Sequence, residues 1–94
     1  MRLSHEEKRA IKEAVYSIDP AAQIYLFGSR ADDTKRGGDI DLLIFSHKIT
    51  FEEKLHIKTR IFQEIEEQKI DVVLVSEVNQ HFVELALENS TELT

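Results

Sequence analysis

The sequence predicts an α+β protein, in which a small mixed β-sheet of three or more strands packs against helices in the order αββαβα. Two observations lead to this prediction. Apolar residues recur at helical spacing in three segments, and polar capping residues open the first two of these. Three short apolar runs, rich in β-branched and aromatic residues, lie between or beside those segments and are typical of strands.

The first helix is predicted over residues from about 5 to 17. Ser4 and Glu7 have the spacing of a capping box, in which each side chain accepts a hydrogen bond from the other residue's backbone. Five apolar residues then follow at helical spacing: Ala10, Ile11, Ala14, Val15 and Ile18. Asp19 and Pro20 end the helix, because the residue before a proline avoids the helical conformation.

The first two strands flank the long polar loop of the sequence. The run QIYLFG, residues 23–28, predicts the first strand, and DIDLLIF, residues 39–45, predicts the second. The loop SRADDTKRGG closes with Gly37 and Gly38, which we expect to form the turn that places the aspartates after it. A loop of this length allows the two strands to lie antiparallel.

The second half of the sequence predicts a helix, a strand and a final helix. Thr50 and Glu53 repeat the capping-box spacing, and the helix after them has a predicted apolar stripe of Phe51, Leu55, Ile61, Phe62 and Ile65. The run KIDVVLVS predicts a third strand, parallel to the second because a helix connects the two. The last helix is predicted to carry Val78, Phe82, Leu85 and Ala86 on one face, with Phe82 in the core. We expect the tail, STELT, to fray.

Length and composition exclude several classes of protein. The 94 residues correspond to one domain, which we assign to residues 1–94. Twelve basic and eighteen acidic side chains give a net charge of −6, which argues against a surface for duplex nucleic acid. No run approaches the roughly 18 apolar residues of a membrane span, so we expect no membrane contact. Because the sequence has no cysteine, we expect a cytoplasmic protein without disulfides.

Asp39 and Asp41 are the candidate metal ligands of the second strand. They lie about 6.5 Å apart on one strand face, where their charges repel unless a cation neutralises them. Asp71, near the start of the third strand, becomes a third ligand if the two strands are neighbours in suitable register. Oxygen ligands without cysteine or a histidine pair favour Mg²⁺ or Mn²⁺ over zinc.

The turn after the first strand is a candidate phosphate site. Gly28 lets the backbone approach a phosphate closely, and Ser29 presents both an N–H group and a hydroxyl. Nine residues separate Ser29 from Asp39, and this combination of glycine turn and aspartate pair is more specific than either part. The same loop carries three basic residues that are candidates to screen phosphate charge: Arg30, Lys35 and Arg36.

In these residues the sequence resembles the nucleotidyltransferase superfamily of DNA polymerase beta type, and within it the minimal nucleotidyltransferase (MNT) group. The shared pattern is Gly-Ser after a strand, a spacer of roughly nine to thirteen residues, Asp-x-Asp on a second strand and an acidic residue on a later strand. The matching residues are Gly28, Ser29, Asp39, Asp41 and Asp71. The resemblance covers residues from about 24 to 75 and implies the nucleotidyltransferase fold.

The resemblance implies that a nucleoside monophosphate is transferred from ATP, or another nucleoside triphosphate, to an acceptor hydroxyl. Asp39 and Asp41 would hold metal ions on the triphosphate. Asp71 would hold the metal near the acceptor and help to deprotonate it. Three residues would bind the nucleotide: Gly28, Ser29 and Arg30.

The MNT group also implies a partner. Its members pair with a helical HEPN protein, a candidate ribonuclease, which they bind and in some cases adenylylate on tyrosine as the antitoxin of a toxin-antitoxin pair. We therefore expect a hetero-oligomer, or else a homodimer. Two alternatives stay open. The protein could bind nucleotide and metal but neutralise a HEPN partner only by masking it, or it could be a structural module whose acidic face makes protein contacts without metal.

Overall fold

The computed structural model describes residues 3–31, 39–65 and 69–93 of the 94-residue chain. Within these ranges the elements are α1 (His5–Tyr16), β1 (Gln23–Phe27), β2 (Ile40–Phe45), α2 (Phe51–Glu64), β3 (Ile70–Leu74), α3 (Gln80–Glu88) and β4 (Thr91–Glu92). Short 3₁₀ turns, Gly28–Ala31 and Val75–Glu77, follow β1 and β3. The predicted α+β class and the order αββαβα are confirmed, with one further strand at the end. In these ranges no helix is both long and apolar enough to cross a membrane.

Both predicted capping boxes are present. The N–H of Glu7 donates to Ser4 Oγ at 3.0 Å, and the N–H of Ser4 donates to Glu7 Oε1 at 2.8 Å. Thr50 and Glu53 make the same reciprocal pair at the start of α2, at 3.3 and 3.0 Å. The caps satisfy N–H groups that lack a partner inside the helix, so local sequence determines where each helix begins.

The sheet is mixed and has the strand order β3-β2-β1-β4. Strand β1 runs antiparallel to both β2 and β4, and β2 runs parallel to β3. The two expectations about strand direction are therefore confirmed. In this register Ile24 lies opposite Ile44, and Leu42 lies opposite Val72, so the apolar residues of the three central strands share one face.

That face forms the core with α1 and α2. The strands contribute buried side chains in alternation: Ile24, Leu26, Ile40, Leu42, Ile44, Ile70, Val72 and Leu74. The two helices cover them with Ile11, Val15, Ile57 and Ile61, which are all nearly inaccessible to solvent. The opposite face of the sheet carries the residues that alternate with these, including Asp41 and Asp71.

The predicted apolar stripe of α2 is only partly correct. Ile61 is buried as predicted, together with Ile57, but Phe51, Leu55 and Phe62 are 59%, 47% and 44% exposed. At 3.6 residues per turn, these three lie roughly 120° around the helix from the two isoleucines. The helix thus has two adjacent apolar faces, and only the packing of α2 on the sheet determines which of them is buried.

Helix α3 also buries less than predicted. Ala86 is buried, but Phe82 and Leu85 remain 37% and 52% exposed. Asn79 caps the start of the helix, and its side chain accepts a hydrogen bond from the Phe82 N–H at 2.8 Å. Large apolar side chains at helical spacing therefore lie at the surface of α3, a placement that their spacing alone does not predict.

The expectation that the tail frays is wrong. Thr91–Glu92 pairs with β1 as the edge strand β4, and the side chain of Leu93 is completely buried. The N–H of Leu93 donates to the Ile24 carbonyl at 2.8 Å. A strand of two residues is too short to show the alternation of apolar and polar residues by which strands are predicted from sequence. Its formation depends on the apolar site that the rest of the protein builds around Leu93.

Asp19 connects the end of α1 to the end of β2. It is the one charged side chain that is buried in the described part of the chain. Its carboxylate accepts hydrogen bonds from Ser46 Oγ at 2.6 Å and from the Ala21 N–H at 3.0 Å. The bond from Ser46 lowers the pKa of Asp19 despite its burial, with the Ala21 N–H acting in the same direction. The strand that carries the predicted catalytic aspartate is thereby attached to the core helix.

Candidate active site

Asp41 and Asp71 occupy equivalent positions on neighbouring parallel strands. They are Cα partners in the pairing of β2 with β3, so their side chains point to the same face of the sheet. Adjacent strands are about 4.8 Å apart, which places the two carboxylates side by side. The sequence left this register undetermined, and the structure brings these two predicted site residues together.

Asp39 directly precedes β2 and has a basic neighbour. Its Oδ2 lies 3.6 Å from the Nζ of Lys69, which precedes β3. The N–H of Ile40 donates to the Lys69 carbonyl at 2.9 Å and holds the two segments together. Within the described ranges, no group of three or more histidine, cysteine, aspartate or glutamate side chains is arranged to hold a metal ion. The three predicted ligands thus form an adjoining pair, Asp41 and Asp71, and a third carboxylate beside Lys69.

The pKa of Asp41 is raised above the usual range of a carboxyl group. Burial is the main cause, followed by repulsion from Asp71 and then from Asp39, while Lys69 acts in the opposite direction. Burial and the two neighbouring carboxylates together disfavour the ionised form of Asp41 more than Lys69 favours it. Carboxylate oxygens are the ligands that Mg²⁺ and Mn²⁺ prefer, and a divalent ion would remove the repulsion. These side chains thus offer the oxygen ligands that the predicted metal prefers, and a metal bound here stays a prediction.

Gly28 lies against the carboxylate of Asp41. Its φ of +75° is in the left-handed region, and a Cβ atom built on it would overlap Asp41 Oδ2. Phe27, the residue before it, is the Cα partner of Asp41 in the pairing of β1 with β2. From the sequence, we expect the glycine at position 28 to let a phosphate approach the backbone. The structure shows a second requirement for glycine, since a side chain at this position would occupy the space of the Asp41 carboxylate.

The Arg30 side chain lies against the start of α1. Its guanidinium Nη1 is 3.8 Å from Glu7 Oε1, and the two side chains are only 12% and 13% exposed. Glu7 belongs to the capping box of α1, so this ion pair attaches the turn Gly28–Ala31 to the beginning of that helix. The structure therefore places Arg30 in contact with α1, and its contact with nucleotide stays a prediction.

Several predicted features lie outside the described residues. These are the side chain of Ser29, the basic residues Lys35 and Arg36, and the turn at Gly37 and Gly38. The backbone of Ser29 belongs to the 3₁₀ turn that follows β1. This turn therefore lies at the end of the sheet where Asp41 and Gly28 meet.

Sequence reasoning missed an aromatic pair next to this site. The rings of Phe27 and Phe82 meet edge to face, with centroids 6.0 Å apart and planes at 89°. The helical spacing of Phe82 predicted a core position, yet its side chain is 37% exposed. No signal in the sequence identifies this pair, because the contact depends on how α3 lies on β1.

Known proteins resemble this chain in sequence and in fold. The sequence profile of the family described as "Polymerase beta, Nucleotidyltransferase" matches residues 9–94. No curated protein matches the sequence. The profile therefore includes every predicted catalytic residue of the chain.

Three solved structures share the fold. One is an MntA–HpeT toxin-antitoxin complex with two aspartates mutated to glutamate, at 16% identity and a TM-score of 0.76, covering 93% of this chain and 72% of the other. Another is the tri-AMPylated Shewanella oneidensis HEPN toxin with its MNT antitoxin, at 16% identity and a TM-score of 0.72, covering 94% and 69%. A toxin-antitoxin structure with AMP-PNP has 17% identity and a TM-score of 0.76, covering 93% and 72%.

Proposed function

The chain belongs to the polymerase beta nucleotidyltransferase family, and we propose that it is a metal-dependent enzyme that transfers a nucleoside monophosphate, AMP from ATP, to a hydroxyl of a partner protein. We propose that residues 1–94 act as one domain in this reaction. The observation that carries the proposal is the side-by-side placement of Asp41 and Asp71, with Asp41 packed against Gly28.

In the proposed reaction, the acceptor oxygen forms a bond to the α-phosphorus of the donor. The bond from that phosphorus to the pyrophosphate oxygen breaks, and pyrophosphate leaves. Asp71 accepts the proton of the hydroxyl. Asp39, Asp41 and Asp71 would hold Mg²⁺ or Mn²⁺, which when bound would neutralise charge on the triphosphate. The backbone of Gly28 and Ser29 would contact the phosphates, and this role needs no side chain at Gly28.

The electrostatics of the site support this arrangement. Phosphoryl-type transfer depends on alignment and charge neutralisation more than on covalent help from the protein. Asp41 has a raised pKa because of its burial and its acidic neighbours, so the site favours added positive charge. A fold neighbour contains AMP-PNP, in keeping with ATP as the donor.

An exposed surface of α2 supports a protein as the acceptor. We define the α2 stripe as Phe51, Leu55 and Phe62, three large apolar side chains that are each more than 40% exposed on one side of that helix. Grouped apolar side chains of this size at a surface are typical of protein contacts. The fold neighbours include an MNT antitoxin in complex with a HEPN toxin. We propose that the partner is a HEPN protein and that this chain is its antitoxin.

The test is transfer of label to that partner. The purified chain is incubated with its HEPN partner, Mg²⁺ and ATP labelled at the α-phosphate. The parent is expected to label the partner, while Asp41→Asn and Asp71→Asn are expected to leave it unlabelled. Glu92→Gln, which changes an exposed carboxylate on β4, is the matched control and is expected to keep full activity. If the parent transfers no label with either Mg²⁺ or Mn²⁺ and with any of the four nucleoside triphosphates, the proposed enzymatic activity is excluded.

Masking without catalysis is the second candidate function, and the α2 stripe favours it because a contact surface alone could block a partner. The same variants separate the two functions. If Asp41→Asn suppresses the partner's activity as fully as the parent does, neutralisation occurs by contact. If the variant fails to suppress it while still forming the complex, neutralisation requires transfer.

A further inference from the structure

We propose that Phe27 and Phe82 form a stacking surface for the base of the nucleoside triphosphate donor. The inference rests on the proposed function for the position of the phosphates and adds the subsite that holds the other end of the nucleotide. The two rings meet edge to face, 6.0 Å apart, and the Phe82 ring is 37% exposed.

The location of the pair connects it to the site. Phe27 immediately precedes Gly28 in the chain, and it is the strand partner of Asp41 on the same face of the sheet. If the phosphates of a nucleotide lie at Gly28 and near Asp41, the phosphate end of that nucleotide is therefore next to Phe27. Leu85, one turn after Phe82 and 52% exposed, extends the apolar surface along α3.

The geometry of the pair suits a planar ligand. In an edge-to-face pair, the edge of one ring meets the face of the other, so one ring is braced by its neighbour. An exposed ring that is fixed in this way presents a surface to a planar base without losing rotamer freedom on binding. Bases stack on aromatic side chains in nucleic-acid proteins by the same contact.

The order of the strands favours the donor base over the acceptor as the ligand. The sheet runs β3-β2-β1-β4, so Asp71 on β3 and Phe27 on β1 lie on opposite sides of Asp41. In the proposed reaction the acceptor hydroxyl is next to Asp71. The aromatic pair is on the other side, next to the glycine turn that would contact the donor phosphates.

Stacking contributes affinity without identifying the base, because every base has a π face. We therefore expect ATP and GTP to bind with affinities within a few-fold of each other as far as this subsite is concerned. Any stronger preference would come from hydrogen bonds made elsewhere.

The experiment compares the affinities of ATP and tripolyphosphate in Mg²⁺ by calorimetry, using the full chain. Tripolyphosphate carries the phosphates without a base. Phe82→Ala and Phe82→Leu are expected to weaken ATP binding about tenfold and to leave tripolyphosphate binding unchanged. Phe82→Tyr keeps an aromatic ring and is expected to restore ATP binding. His81→Ala removes the exposed ring that precedes Phe82 on α3, and it is the matched control that should change neither.

Two results would overturn the inference while the proposed function stands. One is unchanged ATP affinity in Phe82→Ala, even if label transfer to the partner falls, since the ring would then contact the acceptor. The other is an equal loss of ATP and tripolyphosphate affinity, which would show a general effect on the fold. If the parent binds neither ligand, the proposed function and this inference fail together.

Discussion

Gly28 and Asp41 meet so closely across the pairing of β1 with β2 that a side chain at Gly28 would overlap the Asp41 carboxylate. The turn proposed to bind phosphate and the carboxylate proposed to bind metal are thus packed against each other. Each determines the position of the other, so a change in one should disturb both functions.

Gly28→Ala is expected to abolish transfer and to lower stability. An alanine at φ +75° is expected to lower the free energy of unfolding by about 1–2 kcal/mol through backbone strain alone. The overlap with Asp41 should lower it further. Urea unfolding and transfer of labelled AMP measure the two effects.

A double-mutant cycle isolates the contact. In the Asp41→Ala background the carboxylate is absent, so Gly28→Ala should lower the free energy of unfolding only by the amount due to backbone strain. Equal losses in the two backgrounds would show that Asp41 does not limit the space at Gly28.

Asp41→Asn is expected to abolish transfer and yet raise stability in a metal chelator at pH 7. The change removes a charge whose pKa is raised by burial and by repulsion from Asp71 and Asp39. Because the carboxylate is only partly buried, we expect a gain in the unfolding midpoint of roughly 2–5 °C. Glu92→Gln, on the exposed edge strand, is the control that should leave the midpoint unchanged.

The advantage of Asp41→Asn should shrink as the pH falls. A carboxyl group with a raised folded pKa destabilises the protein above that pKa, and the penalty disappears as pH falls through it toward the unfolded value of about 3.9. Asp19 has a lowered pKa, so its ionised carboxylate stabilises the folded state at neutral pH. This stabilisation is lost only as the pH falls below the unfolded pKa. Melting curves of parent and variant from pH 7 to about pH 4 test this, and a constant difference would contradict it.

The α2 stripe is expected to bind the partner. Phe51→Ser together with Leu55→Ser should weaken the complex with the HEPN protein at least tenfold. The truncation of an apolar side chain that anchors an interface typically costs more than about 1 kcal/mol of binding free energy. Both side chains are about half exposed, so the fold should survive. Gln63→Ser, an exposed and uncharged change elsewhere on α2, is the control. Unchanged partner affinity in the double variant would remove the stripe from the interface.

Leu93→Ala is expected to lower the free energy of unfolding by about 2–5 kcal/mol, the usual effect of truncating a fully buried leucine. Thr91→Ala, on the partly exposed strand before it, should lower it much less. Denaturant unfolding followed by circular dichroism measures both variants. Equal small losses would indicate that Leu93 contributes little to the core.

Contacts between near neighbours along the chain account for the features that could be predicted from the amino-acid sequence. The capping boxes Ser4–Glu7 and Thr50–Glu53 start their helices through hydrogen bonds across three residues, and both form as predicted. The strands follow from apolar runs, and the resemblance to the family is carried by Gly-Ser and Asp-x-Asp motifs that lie close together in the sequence. These features need no knowledge of the rest of the fold.

The packing of the whole chain determines which distant residues meet. It set the register that places Asp71 beside Asp41, selected which apolar face of α2 is buried, and built the site that Leu93 fills. It also brought Phe82 against Phe27. The physical reason is that local hydrogen bonds and residue spacing act within a few positions, whereas strand register and helix orientation minimise the exposed apolar area of the whole molecule.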